Sequence, residues 1–121
     1  MNISWSEIKP YENELPTNYA DRIGRLYTDT VTAAFKKSNG QFFTPVSIAY
    51  FMGKQISVNK DSVSVLDPGC GTAILSCAMI ENLVLQSKVK QIELVTYETD
   101  ENLIPGLQKV LEYITIWGDA P

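Results

Sequence analysis

Two glycines and a carboxylate in the middle of the chain have the types and spacing of a ligand-binding turn. Residues 63–75 read Val-Ser-Val-Leu-Asp-Pro-Gly-Cys-Gly-Thr-Ala-Ile-Leu. The apolar start predicts a buried strand that ends at Asp67, and a helical pattern begins after Gly71. Ligands of open α/β sheets bind beyond the carboxyl ends of strands, and glycine lets backbone approach them closely. We therefore expect Gly69 and Gly71 to contact a ligand, with the Asp67 carboxylate facing the same space.

The residue types in this turn favour a ligand without phosphates. The dinucleotide fingerprint G-x-G-x-x-G needs a third glycine where Ile74 stands, and no Gly-Lys-Ser/Thr of a P-loop follows. Asp67 would repel a pyrophosphate, whereas it could accept hydrogen bonds from a ligand amino group or from loop amides. A plain strand-to-helix turn is the alternative, and a lone G-x-G does not decide between the two.

A second acidic segment follows the next predicted strand. Residues 92–98 read Ile-Glu-Leu-Val-Thr-Tyr-Glu, and Thr99 and Asp100 come next. A strand, a crossover helix and a second strand form a βαβ unit, which places Glu98 beside the glycine turn. There its carboxylate could accept both hydroxyls of a ribose. The alternative role, capping the next helix, suits Asp100 better than Glu98.

Hydrophobic periodicity predicts the elements that position these acids. Residues 1–16 are expected to form an irregular arm whose aromatic residues are candidates for docking on the body, and residues 17–121 are expected to form the N-terminal part of one domain. Thr17 or Asn18 is the expected N-cap of the first helix, and Gly40 is its expected end. The predicted elements are helices 17–37 and 45–55, strand 63–67, helix 72–86, strand 92–98, helix 101–113 and the start of a third strand at 114–118.

Two adjacent aromatic residues stand before the second predicted helix. In Gln41-Phe42-Phe43-Thr44-Pro45, Thr44 is a suitable cap and Pro45 a suitable first helical residue. A hydrophobic staple with core packing explains the aromatic pair without a ligand. The predicted third strand breaks off with the sequence, so we expect a fragment of a longer protein or a solitary N-terminal half.

Composition excludes several classes of function. The 121 residues, 45% hydrophobic and 20% charged, suit one globular domain. No apolar run is long enough for a membrane span or a signal core, so a cytoplasmic protein is expected. With two cysteines (Cys70 and Cys77) and no histidine, a disulfide framework, a zinc site and histidine-dependent catalysis are not expected. A net charge of −4 with scattered Lys and Arg means that a nucleic-acid substrate would be held mostly by other regions.

Three segments in this order resemble one enzyme family. They are Gln41-Phe42-Phe43-Thr44-Pro45, Asp67-Pro68-Gly69-Cys70-Gly71-Thr72 and Tyr97-Glu98-Thr99-Asp100. They resemble the N6-adenine DNA methyltransferases of restriction-modification systems, in particular type I modification subunits and related fused enzymes. The likeness runs from about residue 17 to the end of the sequence. It implies the three-layer α/β/α, Rossmann-like fold of S-adenosylmethionine-dependent methyltransferases, of which this chain would be the N-terminal half with a helical extension.

The resemblance also implies S-adenosylmethionine as the cofactor and assigns its contacts. Phe43, Thr44 and Pro45 would close over the methionine part of the cofactor. Glu98 would take the ribose hydroxyls, and Thr99 would lie against the adenine ring. Asp119, at the end of the predicted third strand, resembles an acid near that adenine and the target base. The amino-acid end would be held by Asp67 and the turn that follows it, Pro68, Gly69, Cys70 and Gly71.

The catalytic motif of the family is absent from this sequence. That motif is Asn, Asp or Ser followed by Pro-Pro and an aromatic residue, and the chain contains no Pro-Pro pair. The motif and any target-recognition region are therefore expected beyond Pro121, and the 121 residues alone are expected to be inactive. Thr72-Ala73 replaces the common Thr-Gly, a change expected to be tolerated on the first helical turn.

The resemblance further implies DNA as a partner through regions beyond Pro121, together with a specificity subunit or a fused recognition domain. No membrane partner is expected. Hydrophobic surface where further strands would pack predicts self-association of the fragment. Two alternatives stay open: a methyltransferase acting on RNA, protein or a small molecule, and a non-catalytic module that binds the cofactor or a partner.

Overall fold

A computed structural model describes residues 3–31, 43–86 and 88–119 of the chain. A short 3-10 turn, Trp5–Glu7, precedes the regular elements. In chain order these are α1 (Pro16–Thr30), α2 (Val46–Gly53), β1 (Ser62–Pro68), α3 (Ile74–Leu85), β2 (Gln91–Tyr97) and α4 (Ile104–Asp119). None of the helices in these described ranges has the length and apolar character needed to cross a bilayer.

The sheet consists of β1 and β2, which pair in parallel with Val65 opposite Leu94. Side chains alternate between the two faces of a strand. Val65 is buried and Leu94 packs against the core on the face that the helices cover. Leu66 and Tyr97 belong to the opposite face and are 65% and 61% exposed. The predicted mixed α/β fold is confirmed, but within the described ranges the helices cover only one face, so the expected three layers are not seen there.

The helical layer is joined by the carboxylate of Glu81, a buried residue of α3. It accepts hydrogen bonds from the backbone N–H of Thr17 at 2.8 Å, from the Thr17 hydroxyl, and from the Tyr50 hydroxyl of α2 at 2.8 Å. Burial, together with this bond to Glu81, raises the pKa of Tyr50 to about 12. One carboxylate therefore connects three helices.

This contact corrects the predicted start of α1. Pro16 is the first helical residue and Leu15 the N-cap, with no side-chain cap of its own. Thr17 is therefore not the cap but lies inside the first turn, where its N–H needs an acceptor. Glu81 supplies that acceptor from a residue 64 positions away in the sequence.

The N-terminal arm docks on the body, as its aromatic residues led us to expect. A Cβ on Gly106 of α4 would lie 2.9 Å from both the Trp5 ring and Ile23 of α1, so glycine permits this close approach. The Tyr19 hydroxyl donates to the Ile8 carbonyl at 2.6 Å. Tyr113 of α4 donates to the carbonyl of Glu14. The arm is thus fastened to both α1 and α4.

An ion pair completes the docking of the arm. Arg22 of α1 donates to both carboxylate oxygens of Glu14, at 2.8 and 3.0 Å, and to the Lys9 carbonyl at 2.8 Å. Burial of Glu14 would raise its pKa, but hydrogen bonds from Arg22 and the Tyr11 N–H and the Arg22 charge outweigh this effect. The pKa of Glu14 is consequently lower in the folded chain.

The first two helices differ from the predicted bounds. Helix α1 ends at Thr30, because Val31 has extended backbone angles (φ −113°, ψ 152°). Thr28, Thr30 and Val31 are β-branched residues of low helix propensity, which accounts for this early end. In α2, Pro45 is the N-cap and no side-chain cap bond forms, so capping by Thr44 was wrong. The predictions for residues 32–42, including Gly40, Gln41 and Phe42, lie outside the described residues.

The predicted third strand is also wrong, because α4 continues to Asp119 and includes residues 114–118. The β-branched run Ile114-Thr115-Ile116 favours a strand locally. Helical spacing nevertheless continues through it, since Leu107, Val110 and Ile114 are all buried in the core. The Thr115 hydroxyl donates to the Leu111 carbonyl at 2.8 Å, a bond within a helix. Tertiary burial has overridden the local preference.

The turn between β1 and α3 contains three residues with positive φ: Gly69 (62°), Gly71 (59°) and Ala73 (64°). The Ala73 N–H donates to the Cys70 carbonyl at 2.8 Å, and α3 begins only at Ile74. Ala73 is therefore the N-cap, not a residue of the first helical turn as expected. Its left-handed conformation is one that glycine adopts more readily.

Replacement of Glu81 should destabilise the fold, since Glu81→Ala leaves the buried Thr17 N–H without its acceptor. We expect a loss of about 2–4 kcal/mol in the free energy of unfolding, and about 1 kcal/mol for Tyr50→Phe. Urea unfolding monitored by circular dichroism measures both. The exposed Glu93→Ala serves as a control with an expected change within about 0.5 kcal/mol. Equal effects of Glu81→Ala and Glu93→Ala would contradict this role.

The glycine turn allows a matched comparison of two substitutions. A Cβ on Gly71 would lie 3.2 Å from the Phe43 ring, whereas a Cβ on Gly69 meets nothing within 4 Å. Both alanine variants place a side chain at positive φ, costing about 1–2 kcal/mol. The free energy of unfolding of Gly71→Ala should fall by about 1 kcal/mol more than that of Gly69→Ala, because the new methyl group also crowds Phe43. Equal unfolding free energies for the two variants would show that the Phe43 contact does not constrain the turn.

The Glu14–Arg22 pair should make stability depend on pH. Because the folded pKa of Glu14 lies below its unfolded value near 4.5, the stabilisation is complete above that value and is lost as the pH falls through the folded pKa. The difference in unfolding free energy between the wild type and Glu14→Gln should therefore be constant above about pH 5.5 and shrink towards pH 3. Urea titrations across this range measure it, and a difference that does not change with pH would refute the assignment.

Candidate functional site

The carboxyl ends of both strands meet the glycine turn. Asp67 is paired with Thr96 in the parallel register, and Glu98 follows two positions after Thr96. Alternation places Asp67 and Thr96 on the same face, the one used by the buried Val65. The side chain of Glu98, just beyond the end of β2, reaches the turn that follows Asp67.

Glu98 is hydrogen-bonded directly to the turn. Its Oε1 accepts from the Gly71 N–H at 2.9 Å, and its Oε2 accepts from the Asp100 N–H at 2.9 Å. The prediction that Glu98 lies beside the glycine turn is confirmed. The carboxylate also has a structural role that the sequence did not reveal, because it fixes the turn to the segment after β2.

The side chain of Asp67 is hydrogen-bonded to the first turn of α3. The Ser76 hydroxyl donates to Asp67 Oδ2, and Ser76 is 1% exposed. Sequence analysis did not select Ser76. A signal was present, since a serine stands within the otherwise apolar run Ala73–Ile80. A buried hydroxyl in such a run requires a hydrogen-bond partner.

Cys70 anchors the middle of the turn. Its N–H donates to the Tyr97 carbonyl at 2.9 Å, which joins the turn to the end of β2. Burial raises the pKa of the Cys70 thiol to about 11, and the negative charges of Asp67 and Glu98 add to the shift. Both carboxylates therefore influence the same thiol. A thiol with this raised pKa is a poor nucleophile at neutral pH.

The aromatic segment before α2 contacts the turn through Phe43. The Phe43 ring lies 3.2 Å from the position of a Cβ on Gly71 and 3.5 Å from one on Gly24 of α1. Glycine at both positions leaves room for the ring between the helix and the turn. Thr44 and Pro45 follow at the start of α2, half-buried and exposed respectively. Gly24 was not selected from the sequence, although a glycine inside a helical pattern is itself a signal of close packing.

Two further predicted residues are placed differently. Thr99 is exposed and directly follows Glu98, whose side chain is hydrogen-bonded to the turn. Asp119 does not join the site, because the strand expected to present it is the end of α4. It lines a cavity of about 400 Å³ between α3, β2 and α4, together with Lys90 and Gln91 at the amino end of β2. The glycine turn lies at the carboxyl end of that strand, so the cofactor-binding assignment of Asp119 was wrong.

The glycine turn combines open backbone with nearby carboxylates. Nothing lies within 4 Å of the position of a Cβ on Gly69, so the backbone at this point is open to a ligand. Asp67 and Glu98 are carboxylates, which accept hydrogen bonds from amino and hydroxyl groups. Two negative charges beside an open glycine turn disfavour a phosphate group and favour a cationic or hydroxyl-bearing ligand.

Comparisons with known proteins match the chain to one enzyme family. The sequence model of the N-6 DNA Methylase family matches residues 19–105. The type II methyltransferase M.AccI of Acinetobacter calcoaceticus is 32% identical over 90 residues, which cover 74% of this chain and 16% of that protein. The type II methyltransferase M.BsuBI of Bacillus subtilis is 37% identical over 86 residues, which cover 67% of this chain and 17% of that protein. No solved structure matches the chain.

The matched range contains the glycine turn and the end of β2. Residues 19–105 include Phe43, the turn from Asp67 to Gly71, and Glu98, whereas Asp119 lies outside them. The chain spans 16–17% of the length of these two curated relatives. Because the family match covers most of the sequence, the family expected from the three segments is confirmed: the chain belongs to the N-6 DNA methylase family.

Proposed function

We propose that this chain is the S-adenosylmethionine-binding part of an adenine-specific DNA methyltransferase of a restriction-modification system. In the full-length protein, the enzyme would transfer a methyl group to the N6 atom of adenine in DNA. Family membership and the names of the two relatives, both type II methyltransferases, support the reaction class. The geometry of the glycine turn supports the location of the cofactor.

The observation that carries the proposal is the bond between Glu98 and the Gly71 N–H at 2.9 Å. This bond holds the Glu98 carboxylate at the turn that follows Asp67 and that includes the open backbone of Gly69. An ionised carboxylate accepts about four hydrogen bonds, and each Glu98 oxygen uses one for a backbone N–H. The remaining lone pairs would accept the two ribose hydroxyls of the cofactor.

The other site residues would bind the rest of the cofactor. Asp67 would accept hydrogen bonds from the amino group of the methionine part, beside the turn of Pro68, Gly69, Cys70 and Gly71. Phe43, Thr44 and Pro45 would cover that part, since the Phe43 ring already contacts Gly71. Thr99, next to Glu98, would lie against the adenine ring.

When bound, S-adenosylmethionine supplies a methyl group on a positively charged sulfonium, which is open to in-line attack by an amine. The residues of this chain contribute by binding and orientation. Holding two reactants in the correct geometry accounts for a large part of the rate of many enzymes. The Asn-Pro-Pro-aromatic motif that would bind the target adenine is assigned to the full-length protein outside these 121 residues.

Partners and location form a further part of the proposal. With a net charge of −4, this chain offers little attraction for DNA. DNA would therefore be bound by other regions of the full-length protein, such as a fused recognition domain, or by a separate specificity subunit. A DNA substrate of this kind supports a cytoplasmic location. The isolated chain would self-associate through the uncovered sheet face, where Leu66, Val95 and Tyr97 are exposed.

Calorimetric titration of the 121-residue chain with S-adenosylmethionine tests the cofactor assignment. The wild type should bind, while Asp67→Asn and Glu98→Gln should each lose about tenfold or more in affinity, since each removes a charged acceptor. Glu93→Gln, which changes an exposed carboxylate on the uncovered face of β2, should bind like the wild type. Absence of binding by the folded wild type would refute the proposal. Binding of NAD instead would show that the assignment of S-adenosylmethionine as the ligand is wrong.

A further inference from the structure

The buried hydroxyl of Ser76 has no role in the cofactor contacts described so far, although it touches one of the residues that make them. We infer that Ser76 is a positioning residue for cofactor specificity. By donating to Asp67 Oδ2, it would orient the Asp67 carboxylate so that its other oxygen receives the amino group of the ligand. This inference rests on the proposed function and adds to it a residue that would determine recognition of the amino-acid part.

The location of Ser76 suits such a role. It is the third residue of α3, and its side chain is 1% exposed. The neighbours Cys77 and Ala78 are 0% and 1% exposed in the core between the helices. Glu81, further along α3, is bonded to both α1 and α2. The donor therefore lies on an element that is held on several sides.

A fixed donor matters because the terminal torsion of aspartate is broad. Without a partner, the Asp67 carboxylate could rotate about this torsion at little cost. A serine hydroxyl donates a single hydrogen, and here that hydrogen goes to Oδ2. The hydrogen bond is charge-assisted, so it is stronger than a bond between neutral groups. It would leave Oδ1 as the oxygen presented to the ligand.

A purely structural role would have a different signature. If the Ser76 hydroxyl only stabilised α3 or the turn, its loss would lower the affinity of the site for every ligand by the same factor. If the hydroxyl positions Asp67, its loss should lower the affinity only for ligands that carry the amino group. 5′-Methylthioadenosine contains the same nucleoside as S-adenosylmethionine but lacks the amino-acid part, so it separates the two roles.

The experiment measures the affinity of both ligands for the wild type, Ser76→Ala and Ser76→Cys by calorimetry. Cysteine replaces the hydroxyl by a somewhat larger thiol that is only a weak donor, so it fills the space that alanine would leave empty. We expect both variants to lose about tenfold in affinity for S-adenosylmethionine. Their affinity for 5′-methylthioadenosine should change by less than about twofold. Cys77→Ala, which removes a buried neighbour, should lower stability without changing the ratio of the two affinities.

A double-mutant cycle provides the second measurement. Once Asp67→Asn has removed the charge, Ser76→Ala should cause no further loss of S-adenosylmethionine affinity. Additive losses, equal losses for both ligands, or unchanged affinities in Ser76→Ala would overturn the inference while leaving the proposed function intact. A folded wild type that binds neither ligand would overturn the proposed function and this inference with it.

Discussion

The structure depends on one buried carboxylate, that of Glu81. The first N–H groups of a helix have no partner inside the helix, and α1 begins with a proline and a leucine N-cap that provides none. Glu81 accepts from Thr17 at this helix end and from Tyr50 of α2, and it belongs to α3 itself. A buried charge is tolerated only when it is fully hydrogen-bonded, so the three helices must keep their relative positions.

The packed helices also position the residues of the candidate site. Helix α3 presents Ser76 to Asp67, and α1 presents Gly24 to the Phe43 ring, which in turn contacts Gly71. From the sheet side, Glu98 is bonded to the Gly71 N–H. The turn is thus constrained on one side by helices and on the other by the end of β2. Such support from a second layer of contacts is what keeps a binding site in a fixed geometry.

Sequence analysis located the parts of the site that depend on local order. A strand, a glycine turn, a helix and a second strand follow one another closely, and parallel pairing brings the strand ends together, so Asp67 and Glu98 could be placed correctly. Asp119 could not, because its position depended on whether residues 114–118 form a strand or a helix. Their β-branched residues favour a strand, but Ile114 lies four residues after Val110 and one helical face can bury both. The core decided between two locally acceptable conformations.

By itself, the sequence determined the order of elements around the glycine turn, the two acids at neighbouring strand ends and the family that these segments resemble. These features follow from short-range rules on periodicity, turn residues and strand pairing. Only the tertiary structure decided that Glu81 caps α1, that Ser76 holds Asp67 and that Phe43 lies between Gly24 and Gly71. Each of these contacts joins residues on different elements. The hydrogen-bond partners of buried groups depend on which elements pack together, and this packing depends on the hydrophobic core as a whole.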